Sequence, residues 1–132
     1  TCGFLTAVCF LLLPGITSAT ENFIVNPNVS QDISSSELRS IFNMRRRTWQ
    51  DGSAIHVFVL PDQHPVHKSF CKNALGIFSH RLRKTWDRLV FTGTGQAPIE
   101  VNSIEEMRSK VMNTPGAIGY APLQNKDQKN EE

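Results

Sequence analysis

The run Ala54-Ile-His-Val-Phe-Val-Leu60 is apolar at every position but His56 and rich in β-branched and aromatic side chains. A strand with one wet face alternates apolar and polar residues. A nearly continuous apolar run reads instead as a strand covered on both faces, as in a parallel sheet. Asp51-Gly52 before it is a turn, and Pro61-Asp62 ends it.

The flanking segments alternate with this strand. Phe23-Ile24-Val25 is a short strand stopped by Asn26-Pro27-Asn28. Ser34 and Glu37 form a capping box, and Leu38, Ile41 and Phe42 continue at helical spacing to about Met44. Pro65 opens a second helix, where its missing N–H costs nothing. Val66, Phe70, Ala74 and Ile77 are its apolar stripe, with Gly76 as its stop. Leu82, Trp86, Leu89 and Val90 mark a third helix, whose remaining positions Arg81, Arg83, Lys84 and Arg88 give a solvated basic face. Thr92-Gly-Thr-Gly-Gln-Ala-Pro98 is a Gly-rich loop. Ser103 and Glu106 form a second capping box ahead of Ile104, Met107, Val111 and Met112. Asn113 to Gly116 stops that helix, and Ala117 to Ala121 is a closing strand. Strands alternating with helices imply an α/β domain, a mixed or parallel sheet flanked by helices.

The ends differ from this middle. Phe4 to Leu13 is almost entirely apolar, Pro14-Gly15 breaks it, and Thr17-Ser18-Ala19 follows with small residues. This is the pattern of a secretory signal's apolar core and cleavage region, with cleavage expected after Ala19 and the basic region expected upstream of Thr1. The run is shorter than the roughly 20 apolar residues that span a bilayer. The expected division is a signal peptide over 1–19, a folded domain over 20–122 and a polar tail over 123–132. Export would place the domain in the periplasm and leave Cys71 as the lone cysteine. Cys71 is expected to be a buried structural thiol, since no activating base is arranged beside it.

Charge narrows the function classes. Fourteen Lys and Arg against 12 Asp and Glu give a net charge of +2. That is too balanced for a dedicated nucleic-acid or polybasic membrane protein. No Ser-His-Asp or Cys-His arrangement and no acidic pair stands out, so no catalytic residues are expected. His64 and His67 have the spacing of one helical face but lack further ligands, so no metal and no cofactor is expected.

An anion is the ligand class the remaining features suit. Thr92, Gly93, Thr94, Gly95 and Gln96 form a loop of glycines and polar side chains able to present N–H groups. The helix N-termini marked by the two capping boxes, at Ser34 and Ser103, favour negative charge, as does the helix start near His64. Arg45, Arg46 and Arg47 offer charge-assisted partners. Each feature also has a plain structural reading: a turn, caps serving only their own helices, and cations beside a helix C-terminus.

The order of segments resembles a known family, the short periplasmic proteins related to phosphate ABC-transporter substrate-binding proteins. The matching pieces are the exported N-terminus, Ile24-Val25-Asn26, Glu37-Leu-Arg-Ser-Ile-Phe42 and Trp49-Gln-Asp-Gly52. Phe70, Leu75-Gly76, Trp86, Phe91-Thr-Gly-Thr-Gly-Gln-Ala-Pro98, Val101-x-Ser103 and Gly116-Ala-Ile-Gly-Tyr120 complete them. They run from Phe23 to Pro122. The resemblance implies a type II periplasmic-binding-protein-like α/β domain. It also implies phosphate or a similar oxyanion as ligand, and an ABC transporter permease or envelope protein as partner. One stretch departs from the family pattern. Where an arginine precedes an acidic-Gly-Ser-Gly-Thr segment, this chain has Leu60-Pro-Asp-Gln-His-Pro65. Asp62 matches the acidic position, while the arginine and the hydroxyls have no counterpart there. That departure motivates a second reading, an interaction or signalling module that has lost the ligand site.

Overall fold

The computed structural model describes residues 23–122 together with Gly3. The expected signal segment and polar tail lie outside the described residues. In chain order the elements are β1 (Phe23–Val25), α1 (Ser35–Phe42), β2 (His56–Val59), α2 (Pro65–Phe70), α3 (Ser79–Thr92), β3 (Ile99–Glu100), α4 (Ile104–Asn113) and β4 (Ala117–Tyr120). They build a mixed α/β domain on a four-stranded sheet of order β1-β4-β2-β3. β2 runs parallel to β4, pairing Val57 with Ile118, and parallel to β3, pairing Phe58 with Ile99. β1 closes the far edge antiparallel to β4, pairing Ile24 with Gly119. The two inner strands are the apolar runs, buried at every position but His56, because helices cover both faces.

Several boundaries differ from the sequence-based expectation. α1 ends at Phe42, because Met44 takes a positive φ of 61° that no helix continues. The Pro65 helix is α-helical only to Phe70 and widens to a π-helical turn over Cys71–Leu75 before Gly76 ends it. β3 has only two residues, too few for a periodic signal, and its pairing with β2 comes from the tertiary fold.

The core joins both helix layers to the sheet. Leu38, Ile41 and Phe42 of α1, Leu82 and Trp86 of α3, and Met107 and Val111 of α4 pack with Val57 to Leu60 and Ala117 to Tyr120. Burying such side chains is worth about 1.5–3 kcal/mol each. Among the described residues, the two buried polar ones, Asn26 and His67, are both hydrogen-bonded, while Gln31 Nε2 and Glu37 Oε2 are buried without a partner. Asn26 donates from its Nδ2 to the carbonyls of Val111 and Met112 at the end of α4. Trp86 donates from its indole Nε1 to the Phe42 carbonyl at 2.8 Å, pinning α3 to the end of α1.

Candidate functional site

Because β4, β2 and β3 are parallel, their carboxyl ends share one edge of the sheet. In open α/β sheets this edge is where ligands bind. Asp62 lies there, three residues beyond β2. Its carboxylate accepts two hydrogen bonds from one guanidinium, Arg83 Nε to Oδ2 at 2.7 Å and Arg83 Nη2 to Oδ1 at 2.8 Å. The guanidinium carbon lies 5.1 Å from the centroid of the Trp86 ring, a cation–π contact that holds the fork in place. Both charged side chains are about one-third exposed, at 32% for Arg83 and 31% for Asp62. The Arg83 hydrogen bonds hold the Asp62 carboxyl below the usual carboxylate range, against a smaller opposing effect of burial. The same hydrogen bonds raise the Arg83 guanidinium further.

Inward from this pair lies a buried polar cluster. His67, on α2, is fully buried. Its Nε2 sits 3.9 Å from Asp62 Oδ1 and 3.6 Å from Cys71 Sγ one turn on. Its Nδ1 shares a hydrogen bond with the Tyr120 hydroxyl. That hydroxyl also accepts from the Leu60 N–H at 2.8 Å. With Leu60 N–H donating to that oxygen, the Tyr120 hydroxyl proton is free to go to His67 Nδ1, the tautomer that places Nε2–H toward Asp62 and Cys71. Burial lowers the His67 pKa, partly offset by Asp62, so the ring stays neutral. Burial also pushes the Cys71 thiol up to about 12, and it raises the Tyr120 phenol as well. Cys71 is thus a protonated core thiol.

The residues expected to surround an anion do not converge. Asp62, His64 and Ser103 do lie at the carboxyl edge, ahead of α2 and α4. His64 uses its ring as the cap of α2, Nδ1 accepting from the Val66 N–H at 3.1 Å. Ser103 accepts from the Glu106 N–H, while the Glu106 carboxylate turns back to the Asn102 N–H. The Thr92–Gln96 loop sits on the opposite, amino-terminal side of β3. It follows the carboxyl end of α3, where the helix dipole disfavours an anion. Gly93 takes a φ of 69° there, and the N–H groups of Thr94 and Gly95 both donate to the Leu89 carbonyl. The hydroxyls of Thr92 and Thr94 bond to each other at 2.7 Å, and Gln96 is exposed. The Gly-rich loop is a helix stop, because its N–H groups close the end of α3.

The arginine run also divides. Arg47 donates to the Thr94 carbonyl at 2.7 Å and so serves that same loop. Arg46 lies 4.0 Å from Glu37, and its Nε donates to the Thr48 carbonyl. Arg45 and Arg46 line a shallow open groove with Ser36, Glu37 and Ser40, where the Glu37 carboxylate opposes an anion.

Sequence reasoning missed Arg83, His67 and Tyr120. His67 was legible: with Phe70, Cys71 and Ala74 it makes an inward stripe at helical spacing. Arg83 carried no such signal, since its partner lies 21 residues away on another element. Among the described residues, no three His, Cys, Asp or Glu side chains gather as a metal ion would need. Compared with known proteins, the chain matches no family model, no curated protein and no solved structure.

Proposed function

We propose that this chain is an exported, non-catalytic solute-binding-type domain of the phosphate or oxyanion class, serving ABC-type phosphate transport in the periplasm. The observation that carries this reading is the Arg83 guanidinium, held over Trp86 at the carboxyl edge of three neighbouring parallel strands. A planar fork at a ligand-binding edge suits the bidentate recognition of phosphate or sulfate. The mixed α/β architecture agrees with a small type II periplasmic-binding-protein-like domain, as the order of sequence segments implies. Calorimetry in phosphate-free buffer tests it. Phosphate is expected to bind at micromolar or tighter affinity. Heat indistinguishable from dilution, for phosphate and sulfate alike, would sink the reading.

A second reading, an interaction or signalling module for an envelope partner, is favoured by the exposed apolar side chains. Phe91 is 93% exposed, and Phe78, Val90, Ile99 and Met112 are more than half exposed. Scattered exposed apolar residues are normal, so only a patch that binds would matter. An envelope partner recovered by the wild-type domain and lost on Phe91→Ser would support this reading. Equal recovery by both proteins would count against it.

A further inference from the structure

We infer that Arg83 is the oxyanion-recognising group of this edge and that Asp62 is a built-in competitor occupying it; the inference rests on the oxyanion reading above. The two parallel N–H···O bonds at 2.7 and 2.8 Å are the arrangement an arginine offers equally to a carboxylate, a phosphate or a sulfate. In this structure the Asp62 carboxylate fills the place of two oxyanion oxygens. Trp86 holds the guanidinium plane, so the fork is positioned before any ligand arrives. The pair is partly exposed, so an incoming anion has access to Arg83. The contact it must displace is a bidentate charge-assisted one, so Asp62 is a real competitor.

The surroundings fit an exchange of partners. His67 Nε2 stands 3.9 Å from Asp62 Oδ1, a second donor for the carboxylate once the ligand displaces it from Arg83. Asp87 lies 3.9 Å from Arg83 Nη1 on the same helix face. With Glu100, which also acts on the guanidinium, it adds negative charge that an incoming anion must overcome. Asp62 thereby sets a threshold: its negative charge must be moved aside, so it weakens anion affinity and discriminates against weakly held anions.

Removing that charge while keeping the shape isolates the effect. Asp62→Asn is expected to bind inorganic phosphate and sulfate at least tenfold more tightly than wild type by calorimetry. Adding Arg83→Gln to it is expected to abolish binding. If wild type binds and Asp62→Asn binds no better, Asp62 is not a competitor: the inference falls and the oxyanion reading stands. If the double variant binds as tightly as Asp62→Asn, Arg83 is not the receptor, and the inference falls again. If neither wild type nor Asp62→Asn binds either anion, both fail together. Near-UV circular dichroism checks the fold of each variant. Phosphate titration of wild type by nitrogen-15 NMR gives a test without any substitution. The Arg83 Nε–H resonance is expected to shift on binding, and a bound protein with that resonance unmoved would overturn the inference.

Discussion

His67 on α2 and Tyr120 at the end of β4 share a hydrogen bond inside the core, Nδ1 to phenolic hydroxyl. Both side chains are fully buried. The bond couples the first helix after β2 to the last strand. Through Leu60 N–H and Asp62 it also couples the core to the candidate anion edge.

Tyr120→Phe removes one oxygen and strands two partners. The Leu60 N–H and His67 Nδ1 would both be buried without a hydrogen bond. Each orphaned group costs about 1–3 kcal/mol. The expected loss is about 2 kcal/mol or more in urea unfolding, with secondary structure retained. A loss under about 0.5 kcal/mol would show that the hydroxyl is not holding this junction.

Stability should fall on mild acidification through His67. Its pKa in the fold lies below the ordinary histidine value of 6.5, chiefly because of burial. Below that value the unfolded chain takes up a proton that the folded ring resists, so acid favours unfolding. The contribution is absent well above 6.5 and grows as pH falls toward the lowered folded pKa. Asp62, Arg83, His64 and Cys71 face the ring, and Asp62 alone favours the proton strongly enough to offset burial in part. The thermal midpoint is expected to drop between about pH 7.5 and about pH 5. His67→Gln should flatten part of that drop. An unchanged slope would remove His67 from the explanation.

Cys71 should be inert in the fold. The side chain is fully buried and its thiol is pushed up to about 12. A thiol-reactive chromogenic disulfide is expected to leave the native domain unmodified and to label Cys71 quickly in denaturant. Rapid native labelling would contradict the burial.

Two glycines separate backbone strain from crowding. Gly116 has a φ of +76°, and an added Cβ would lie 2.5 Å from the Ala54 carbonyl oxygen. Its own carbonyl accepts from the Trp49 indole at 3.0 Å, so it cannot shift freely. Gly52 has a φ of +87° but open space around it. Gly52→Ala should cost about 1 kcal/mol from the left-handed backbone alone. Gly116→Ala should cost about 3 kcal/mol or more, with the clash added. Equal costs in chemical denaturation would refute the crowding.

Local chemistry was readable from the chain where one element suffices. Ser34 and Ser103 announce helix starts because a cap needs only the next three residues, and both hydroxyls accept as expected. The apolar run over Val57 to Leu60 announces a strand buried on both faces, because two-sided burial removes the alternation. The candidate anion set was not readable in the same way. The glycines after Thr92 look alike whether they cradle a ligand or end a helix. Only the Leu89 carbonyl, which takes the N–H groups of Thr94 and Gly95, distinguishes the two.

By itself, then, the sequence determined the alternation of strands and helices, the caps that begin α1 and α4, and most of the core stripes, although Val90 and Met112, expected inside, are exposed. Those local features depend on neighbours within a turn or two. The tertiary structure alone decided the strand order β1-β4-β2-β3, the pairing of a two-residue β3, and the meeting of Asp62 with Arg83 and of His67 with Tyr120. These contacts span 21 and 53 residues of chain, respectively. A charge-assisted fork and a buried hydrogen bond are set by geometry across elements, and no local pattern of residue types encodes where a distant partner will stand.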